Sequence, residues 1–330
     1  MPEDHSRRLA QVALIWRGTL GPMAFRRVEA HFGSPAAALA ADPGELAVPS
    51  LHLYPEQIAA LSGPARDLEG VGAEIAELET RGLRVLCDFE ADYPQILRQM
   101  RDCPPVLCLA GRLLPTDEPA VAIVGTRTPT PEGFRLARAL AEACAAEDLT
   151  VVSGLALGCD TGAHQGALSG GGRTIAVLGS GLYMVSPREN QELARLIAER
   201  GAVLSEQPPF AEPSTPHLLA RNRLQVGLSQ GVIVVQAGES GGAMQTAEQA
   251  FKTGRLVYAA LWPSEEEKAA GNRALLTRGA RPLAGPEAVP NLARALYVHQ
   301  EESRRRPASE SVQGTLFAPE SPPSEGAGTS

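Results

Sequence analysis

Cysteine and long hydrophobic runs are scarce in this 330-residue chain, and their scarcity excludes several classes of protein. The five cysteines stand at irregular spacings without a Cys-x-x-Cys pair, which argues against a zinc site and against a disulfide framework. No apolar run is long enough to cross a bilayer, and the residues after Met1 lack the apolar core of a signal peptide. We therefore expect a cytoplasmic protein without a structural metal.

Positive charge and aromatic side chains are also in short supply. The formal net charge is −8 and aromatic residues make up 4% of the chain, which excludes a uniformly basic nucleic-acid binder. Lys252 and Lys268 are the only lysines, so almost all cationic side chains are arginines. The planar fork of arginine suits phosphate recognition, although a general composition bias explains the same ratio. Any anion site must be a local arginine patch within an acidic envelope.

The first eighty residues are predicted to form a small helical domain. Apolar residues recur at helical spacing over residues 7–16 and 23–32, and a segment with two glycines and a proline, 18–22, separates them. Ser34 is placed to cap a further helix over 35–41. The arrangement resembles a helix-hairpin-helix or SAM-type module. Such modules either hold a DNA backbone on their turn amides or serve for packing and interaction, and the sequence leaves both roles open.

Residues 81–290 are predicted to form an extended Rossmann-like domain of the α/β class. Short apolar runs alternate there with helical segments, which is typical of a parallel sheet covered on both faces. The strand candidates are residues 84–87, 106–109, 121–124, 150–152, 174–178, 202–204, 232–235 and 256–260. Right-handed crossovers bring the loops that follow such strands to one edge, where we expect a ligand. Residues 291–330, rich in Ser, Pro and Glu towards their end, are predicted to be a disordered tail.

The loop at residues 124–127, Val-Gly-Thr-Arg, is the first candidate anion site. Gly125 permits a tight turn, and Thr130 is placed to cap a helix whose free amides favour an anion. Arg127 adds a guanidinium at the same place. A purely structural role, with a glycine turn and an arginine in a surface ion pair, is the alternative.

Two further strand ends carry glycines. After the strand at 150–152, Ser153 and Gly154 allow close backbone approach, and Asp160 stands four residues before His164 on one helix face. We interpret Asp160 and His164 as a hydrogen-bonded pair that supports the loop, because no third partner for catalysis or a metal is visible. The run Gly179-x-Gly181 is a weak dinucleotide fingerprint, since the third glycine is replaced.

Downstream, residues 221–223 (Arg-Asn-Arg) and 240–242 (Ser-Gly-Gly) each accompany the start of a helix. Together the loops predict a phosphate-binding groove along one sheet edge, and ordinary turns with solvated arginines are the alternative. The predicted groove residues are Gly125, Thr126, Arg127, Ser153, Gly154, Arg173, Gly179, Gly181, Arg221, Asn222, Arg223, Ser240, Gly241 and Gly242.

An ordered series of motifs between about residue 84 and residue 280 resembles the DprA/Smf family of DNA-processing proteins. The series runs Asp92-Tyr93-Pro94, Asp102-Cys103-Pro104-Pro105, Gly111, Val124-Gly125-Thr126-Arg127, Ser153-Gly154-Leu155-Ala156-Leu157-Gly158-Cys159-Asp160, Ala163-His164, Gly172-Arg173-Thr174-Ile175-Ala176-Val177, Ser205-Glu206, Arg221-Asn222-Arg223 and Ser240-Gly241-Gly242-Ala243-Met244-Gln245-Thr246-Ala247. Each motif alone is weak, and the order makes the resemblance specific.

The resemblance implies a recombination mediator that binds single-stranded DNA, forms a homodimer through the Rossmann-like domain and loads RecA recombinase during natural transformation. It implies neither catalysis nor a cofactor. In the family, the arginine of Val-Gly-x-Arg and a basic residue before the Thr-Ile-Ala-Val strand meet DNA phosphates, and Arg127 and Arg173 occupy those positions. Arg221 and Arg223 match the family's Arg-Asn-Arg.

The chain departs from the family at the rim of the expected groove. Residues 183–187 replace the usual Asp-x-x-Tyr-Pro, residues 219–220 replace Phe-Pro, and residues 260–262 replace Val-Pro-Gly. Many members also end in a winged helix, and we expect none here.

Two lesser motifs point elsewhere. Gly241-Gly242 with Thr246 and Glu248 resembles the motif of nucleotide phosphoribohydrolases, with the threonine displaced by one position and Met244 in place of a glycine. An enzyme of that type is the alternative reading. In the tail, Gln313, Leu316 and Phe317 form a Gln-x-x-Leu-Phe pattern similar to peptides that dock on the bacterial sliding clamp.

Overall fold

The computed structural model describes residues 2–305 and begins with a layer of short helices. These are α1 (Pro2–Trp16), α2 (Pro22–Phe32), α3 (Pro35–Ala40), α4 (Pro43–Leu46), α5 (Pro55–Ser62) and α6 (Leu68–Thr80), with 3₁₀ turns at Pro49–Leu51 and Pro64–Arg66. Gly33 ends α2 in the left-handed region at φ 78°, and the Ser34 hydroxyl accepts a hydrogen bond from the Ala37 amide. The predicted helix break and cap are confirmed.

Within residues 2–305 a single nine-stranded sheet follows, in the order β1-β2-β6-β5-β4-β3-β7-β8-β9. Its strands are β1 (Leu83–Cys87), β2 (Val106–Gly111), β3 (Ala120–Val124), β4 (Thr150–Ser153), β5 (Thr174–Val177), β6 (Ala202–Ser205), β7 (Gly231–Val234), β8 (Leu256–Ala260) and β9 (Arg281–Leu283). From β6 to β9 all neighbours pair in parallel, so the predicted Rossmann-like sheet is confirmed.

The first two strands correct that prediction in one respect. β1 pairs with β2, and β2 with β6, in antiparallel registers. Parallel neighbours are usually connected through a full helix, whereas the segment between β1 and β2 contains only the single turn α7 (Gln95–Arg98). The chain therefore folds back on itself and extends the parallel sheet by an antiparallel pair.

Helices cover both faces of the parallel part. They are α8 (Pro131–Ala146), α9 (Cys159–Ser169), α10 (Gln191–Arg200), α11 (Thr215–Gly227), α12 (Gly242–Lys252), α13 (Ala270–Thr277) and α14 (Val289–Arg305), with 3₁₀ turns at Pro115–Asp117, Arg188–Asn190, Glu267–Ala269 and Pro286–Ala288. Strands β3 and β7 are buried along their whole length, as expected for central strands covered on both sides. The five cysteines are free and buried.

The N-terminal helices pack directly on the antiparallel end of the sheet. Leu14 and Val71 share one apolar cluster with Val85 of β1 and Val106 of β2. The buried Gln11 amide donates to the Pro105 carbonyl at 2.7 Å. The helical layer thus shares its core with the sheet, which is the packing role that the sequence left open beside a DNA contact.

The C-terminal helix corrects the predicted start of the tail. α14 covers Val289–Arg305, where a disordered segment was expected from residue 291. Leu292, Ala293 and Leu296 recur at helical spacing and are buried against the sheet, which outweighs the polar composition. The remaining predicted tail and its Gln313, Leu316 and Phe317 lie outside the described residues. In the described part, no helix has the length and apolarity needed to span a membrane.

Candidate functional site

A cavity of about 340 Å³ opens at the carboxyl edge of β3 and β7, beneath α11 and the start of α12. This is the edge at which open parallel sheets bind ligands. It brings together nine of the residues singled out from the sequence. They are Gly125, Thr126, Arg127, Asp160, Arg221, Asn222, Ser240, Gly241 and Gly242.

The loop after β3 is held rigidly at the cavity wall. Gly125 has no room for a side chain, because a Cβ there would lie 3.0 Å from the Gln236 carbonyl oxygen and closer still to Cys159. The Thr126 amide donates to that Gln236 carbonyl at 2.8 Å, and the Gln236 side chain accepts from the Thr130 amide at 2.8 Å. Thr130 in turn caps α8 through the Gly133 amide. The loop is therefore pinned to the strand beside it.

Arg127 projects from this pinned loop and is exposed. Within residues 2–305 it has no carboxylate or hydrogen-bond partner, so the alternative of a surface ion pair is not realised there. Its guanidinium remains available to an anion from solution.

Arg221 supplies a second, buried cation. It is 5% exposed, and its Nη1 donates to the Gly154 carbonyl at 2.6 Å and to the Val177 carbonyl. Gly154 must be glycine, since a Cβ would overlap the Arg221 guanidinium. Burial lowers the pKa of Arg221 to about 10, which leaves it charged at neutral pH. The cavity therefore contains a fixed positive charge bonded to neutral carbonyls.

Asp160 is the acidic side chain of the cavity lining, and its carboxylate accepts hydrogen bonds from backbone amides. One carboxylate oxygen accepts from the Gly154 amide at 3.1 Å and from the Ala156 amide at 3.3 Å. Burial raises the pKa of Asp160, against the opposing effect of Arg221. Asp160 thus supports the loop after β4 through the amides of that loop.

The predicted pairing of Asp160 with His164 is wrong. His164 Nδ1 lies 2.7 Å from the Thr174 hydroxyl, which itself donates to the Val151 carbonyl. The hydroxyl proton is thus used, so Nδ1 carries the hydrogen and donates. Burial lowers the pKa of His164 to about 3, so this histidine is neutral and braces the start of β5.

Two amide side chains face the cavity as well. Asn222 is 9% and Gln225 2% exposed, and within the described residues neither side chain has a hydrogen-bond partner. Gln225 was missed from the sequence, although its place one helical turn after Arg221 and Asn222 was a usable clue. Gly242 begins α12 next to Asn222, and the first amides of α12 have no intrahelical partner.

Lys268 is a further residue that sequence reasoning missed. Its ammonium group donates to the Thr128 carbonyl at 2.8 Å, which places a cation beside the Arg127 loop. The two residues are 140 positions apart, and no local pattern links them. The mouth of the cavity is therefore more cationic than the motifs alone indicated.

Arg173 does not join the cavity, which corrects the prediction. It directly precedes β5 and so lies at the amino edge, whereas the cavity lies at the carboxyl edge. Its side chain forms two contacts with buried Asp117 and donates to the Arg200 and Arg112 carbonyls at 2.7 Å each. These partners use the guanidinium in holding the amino edge together.

Arg223 is also engaged in the fold. Its Nε lies 3.2 Å from Asp102, and its Nη2 contacts Glu206. Both carboxylates come from segments that the sheet brings beneath α11. Arg223 is therefore a structural ion pair, unlike its neighbours Arg221 and Asn222.

The remaining groove candidates are packing residues. The Ser153 hydroxyl donates to the Ile123 carbonyl at 2.7 Å and is buried. A Cβ at Gly179 would lie 2.8 Å from Leu218 Cα, and one at Gly181 would overlap the Pro208 carbonyl. These glycines let loops approach one another, and they do not line the cavity. In residues 2–305, no cluster of three or more His, Cys, Asp or Glu is placed to hold a metal ion.

Residues 84–293 match the family described as DNA recombination-mediator protein A. The chain is 38% identical to Protein Smf of Synechocystis over 62% of this chain and 53% of that protein. It is 35% identical to DNA processing protein DprA of Bacillus subtilis over 65% of this chain and 73% of that protein. The chain thus spans about half to three quarters of the length of these relatives.

Two solved structures are similar across most of their own length. DNA processing protein A of Streptococcus pneumoniae superposes with a TM-score of 0.65 and 30% identity, covering 83% of this chain and 94% of that chain. DNA processing protein A of Helicobacter pylori, described for its single-stranded DNA binding mode, gives a TM-score of 0.58 and 30% identity. That match covers 66% of this chain and 96% of the other.

Proposed function

The chain belongs to the DNA recombination-mediator protein A family, also known as DprA or Smf, and we propose on this premise that it binds single-stranded DNA at the cavity. The Helicobacter pylori relative is described as binding single-stranded DNA. Phosphate contacts would provide the affinity, and they carry no sequence preference.

One observation carries the proposal, namely the free state of Arg127. It is exposed on a pinned loop at the cavity mouth, and in the described part of the chain no carboxylate neutralises it. Arg221 and the start of α12 line the same space, and Lys268 lies beside the Arg127 loop. A phosphate there would meet two guanidinium groups and a helix N-terminus.

Binding is better supported than the alternative of a phosphoribohydrolase. That reaction type would call on Glu248, the acidic residue of the Gly-Gly-x-x-x-Thr-x-Glu run. Glu248 does not line the cavity, and its carboxylate contacts Arg278 on the surface. The Thr246 hydroxyl is occupied by the Gly242 carbonyl at 2.9 Å.

The mediator role beyond DNA binding rests on the family resemblance. We propose a cytoplasmic homodimer that loads RecA recombinase onto the bound strand, and docking on the sliding clamp through Gln313, Leu316 and Phe317. Size-exclusion light scattering, RecA filament assembly on coated single strands and a clamp pull-down with Leu316→Ala plus Phe317→Ala test these three points. A monomer, unassisted RecA assembly or an unchanged pull-down would each contradict the corresponding point.

The central experiment compares charge reversal at two exposed arginines. Arg127→Glu changes the cavity mouth, whereas Arg294→Glu makes the same change on α14, away from the carboxyl edge. Fluorescence anisotropy with a labelled single strand should show a loss of affinity of about tenfold or more for Arg127→Glu and none for the control. Equal affinities of the wild type and Arg127→Glu would contradict the proposed site.

A further inference from the structure

An exposed aromatic pair stands on the same edge of the sheet as the cavity. The rings of Tyr183 and Phe210 are stacked, with centroids 4.7 Å apart and an interplanar angle of 29°. Phe210 remains 58% exposed, and the Arg81 guanidinium lies over the partly buried Tyr183 ring at 5.3 Å from its centroid. In a chain with 4% aromatic residues, a stacked pair with one solvent-facing ring is unusual.

The pair is mounted on two loops that hydrogen bonds tie together. The Tyr183 amide donates to the Pro209 carbonyl at 3.0 Å, and the Gly181 amide donates to the Ala211 carbonyl at 2.8 Å. The Ser205 hydroxyl donates to the Ser180 carbonyl at 2.7 Å. Phe210 is therefore held at the tip of a braced turn, and holding the ring in advance lowers the entropic cost of binding against it.

These loops also lead into the cavity. Tyr183 follows β5, Phe210 follows β6, and the Phe210 loop continues into α11, whose Leu218 and Leu219 line the cavity. In the sheet order, β5 and β6 lie two and three strands from β3, which carries Arg127. At about 4.8 Å per strand, the stack lies roughly 10–15 Å along the edge from the Arg127 loop.

A planar apolar face beside a phosphate site suits a nucleobase. Every base presents a π-face, and proteins that bind single strands without sequence preference combine a cationic track with aromatic side chains on which bases stack. We propose that the outer face of Phe210 stacks with a base of the single strand whose phosphates occupy the Arg127 cavity. The Phe210 ring packs on the Tyr183 ring, over which the Arg81 guanidinium lies. This inference rests on the proposed function.

The test separates stacking from charge by using two single strands of equal length, oligo-dT and the same backbone with abasic sites. Phe210→Ala should weaken binding of oligo-dT by about fivefold or more and leave the abasic strand unaffected. Tyr297→Ala is the control, since Tyr297 is an exposed aromatic (41%) on α14, away from the carboxyl edge. Phe210→Trp should retain affinity, and its added fluorescence should be quenched by oligo-dT and not by the abasic strand.

The outcomes distinguish this inference from the proposed function. Arg127→Glu is expected to weaken both strands alike, because both carry phosphates. If Arg127→Glu weakens binding while Phe210→Ala binds oligo-dT like the wild type, or loses equal affinity for both strands, the stacking role is overturned and the site stands. If Arg127→Glu binds both strands like the wild type, the proposed site fails, and the stacking role fails with it.

Discussion

The two edges of the parallel sheet treat the same residue type in opposite ways. At the carboxyl edge, Arg127 is exposed without a carboxylate partner, and Arg221 is bonded to carbonyl oxygens. At the amino edge, Arg173 is bound by Asp117 and two carbonyl groups. All three arginines came from motifs that looked equally suited to phosphate. Their partners, rather than their chemical type, decide which of them can bind a ligand.

The comparison implies that the amino edge serves stability and the carboxyl edge serves binding, which mutations can test. Changes at the amino edge should alter the free energy of unfolding and leave DNA affinity per folded molecule unchanged. Changes at the carboxyl edge should do the reverse.

Arg173→Ala should lower the free energy of unfolding by about 3 kcal/mol, because removing the guanidinium leaves the buried Asp117 carboxylate without its cation. Asp117 is 6% exposed and would keep only the Leu114 amide and a long contact to Thr150. Urea unfolding measures the loss, and anisotropy under native conditions should give wild-type affinity for single-stranded DNA. A stable variant with weakened DNA binding would return Arg173 to the DNA site.

Acidification from pH 7 to pH 5 should destabilise the protein by about 2 kcal/mol through His164 alone. Burial lowers its pKa to about 3, below the ordinary 6.5, so the unfolded chain binds more protons in this range. The stability from this group is complete above the ordinary pKa and is lost as the pH falls towards 3. Urea unfolding of His164→Gln at both pH values should show a correspondingly smaller change. An identical pH dependence in the variant and the wild type would exclude His164 as its source.

Gly242→Leu should weaken single-strand binding by about tenfold, since a side chain at the start of α12 would enter the cavity mouth. A Cβ there meets nothing nearer than the Asn222 amide at 3.7 Å, so the free energy of unfolding should change by less than about 0.5 kcal/mol. Gly44→Leu is the control, because Gly44 also lies in a helix with open space around it, in α4. Undiminished binding by Gly242→Leu would place the DNA elsewhere on this edge.

Arg127→Ala should have the subtlest signature, in the salt dependence of binding. Losing one phosphate contact should make the slope of log affinity against log salt shallower by about 0.7. Titrations at several salt concentrations measure this slope, and Phe210→Ala should leave it unchanged. A slope equal to that of the wild type would mean that Arg127 does not neutralise a phosphate.

Most of the fold could be predicted from the sequence, because central strands are continuous apolar runs bounded by glycine turns. The exceptions depend on weak or distant features. β9 has only Leu283 buried, so no apolar run marks it. The buried face of α14 lies among charged residues in the sequence, and the antiparallel direction of β1 and β2 goes with a connection that contains no full helix.

The site was predictable only where local motifs supply it. Glycines after β3 and β7 mark the cavity wall. The partners that immobilise Arg173 and Arg223 lie far away in sequence, 56 residues from Arg173 to Asp117 and 17 from Arg223 to Glu206, and only the assembled sheet identifies them. The sequence nevertheless predicts that Arg173 and Arg127 lie on opposite edges of the sheet, because Arg173 precedes β5 and Arg127 follows β3.

The contact between Thr130 and Gln236 joins residues 106 positions apart. Consequently, a chain emerging from the ribosome exposes Arg127 well before the opposite wall has been made. At ordinary translation rates that interval is roughly 5–20 s. During this interval the nascent protein has Arg127 but not yet the complete cavity. On the proposed function, we expect tight attachment to DNA only once the chain has been synthesised past α12.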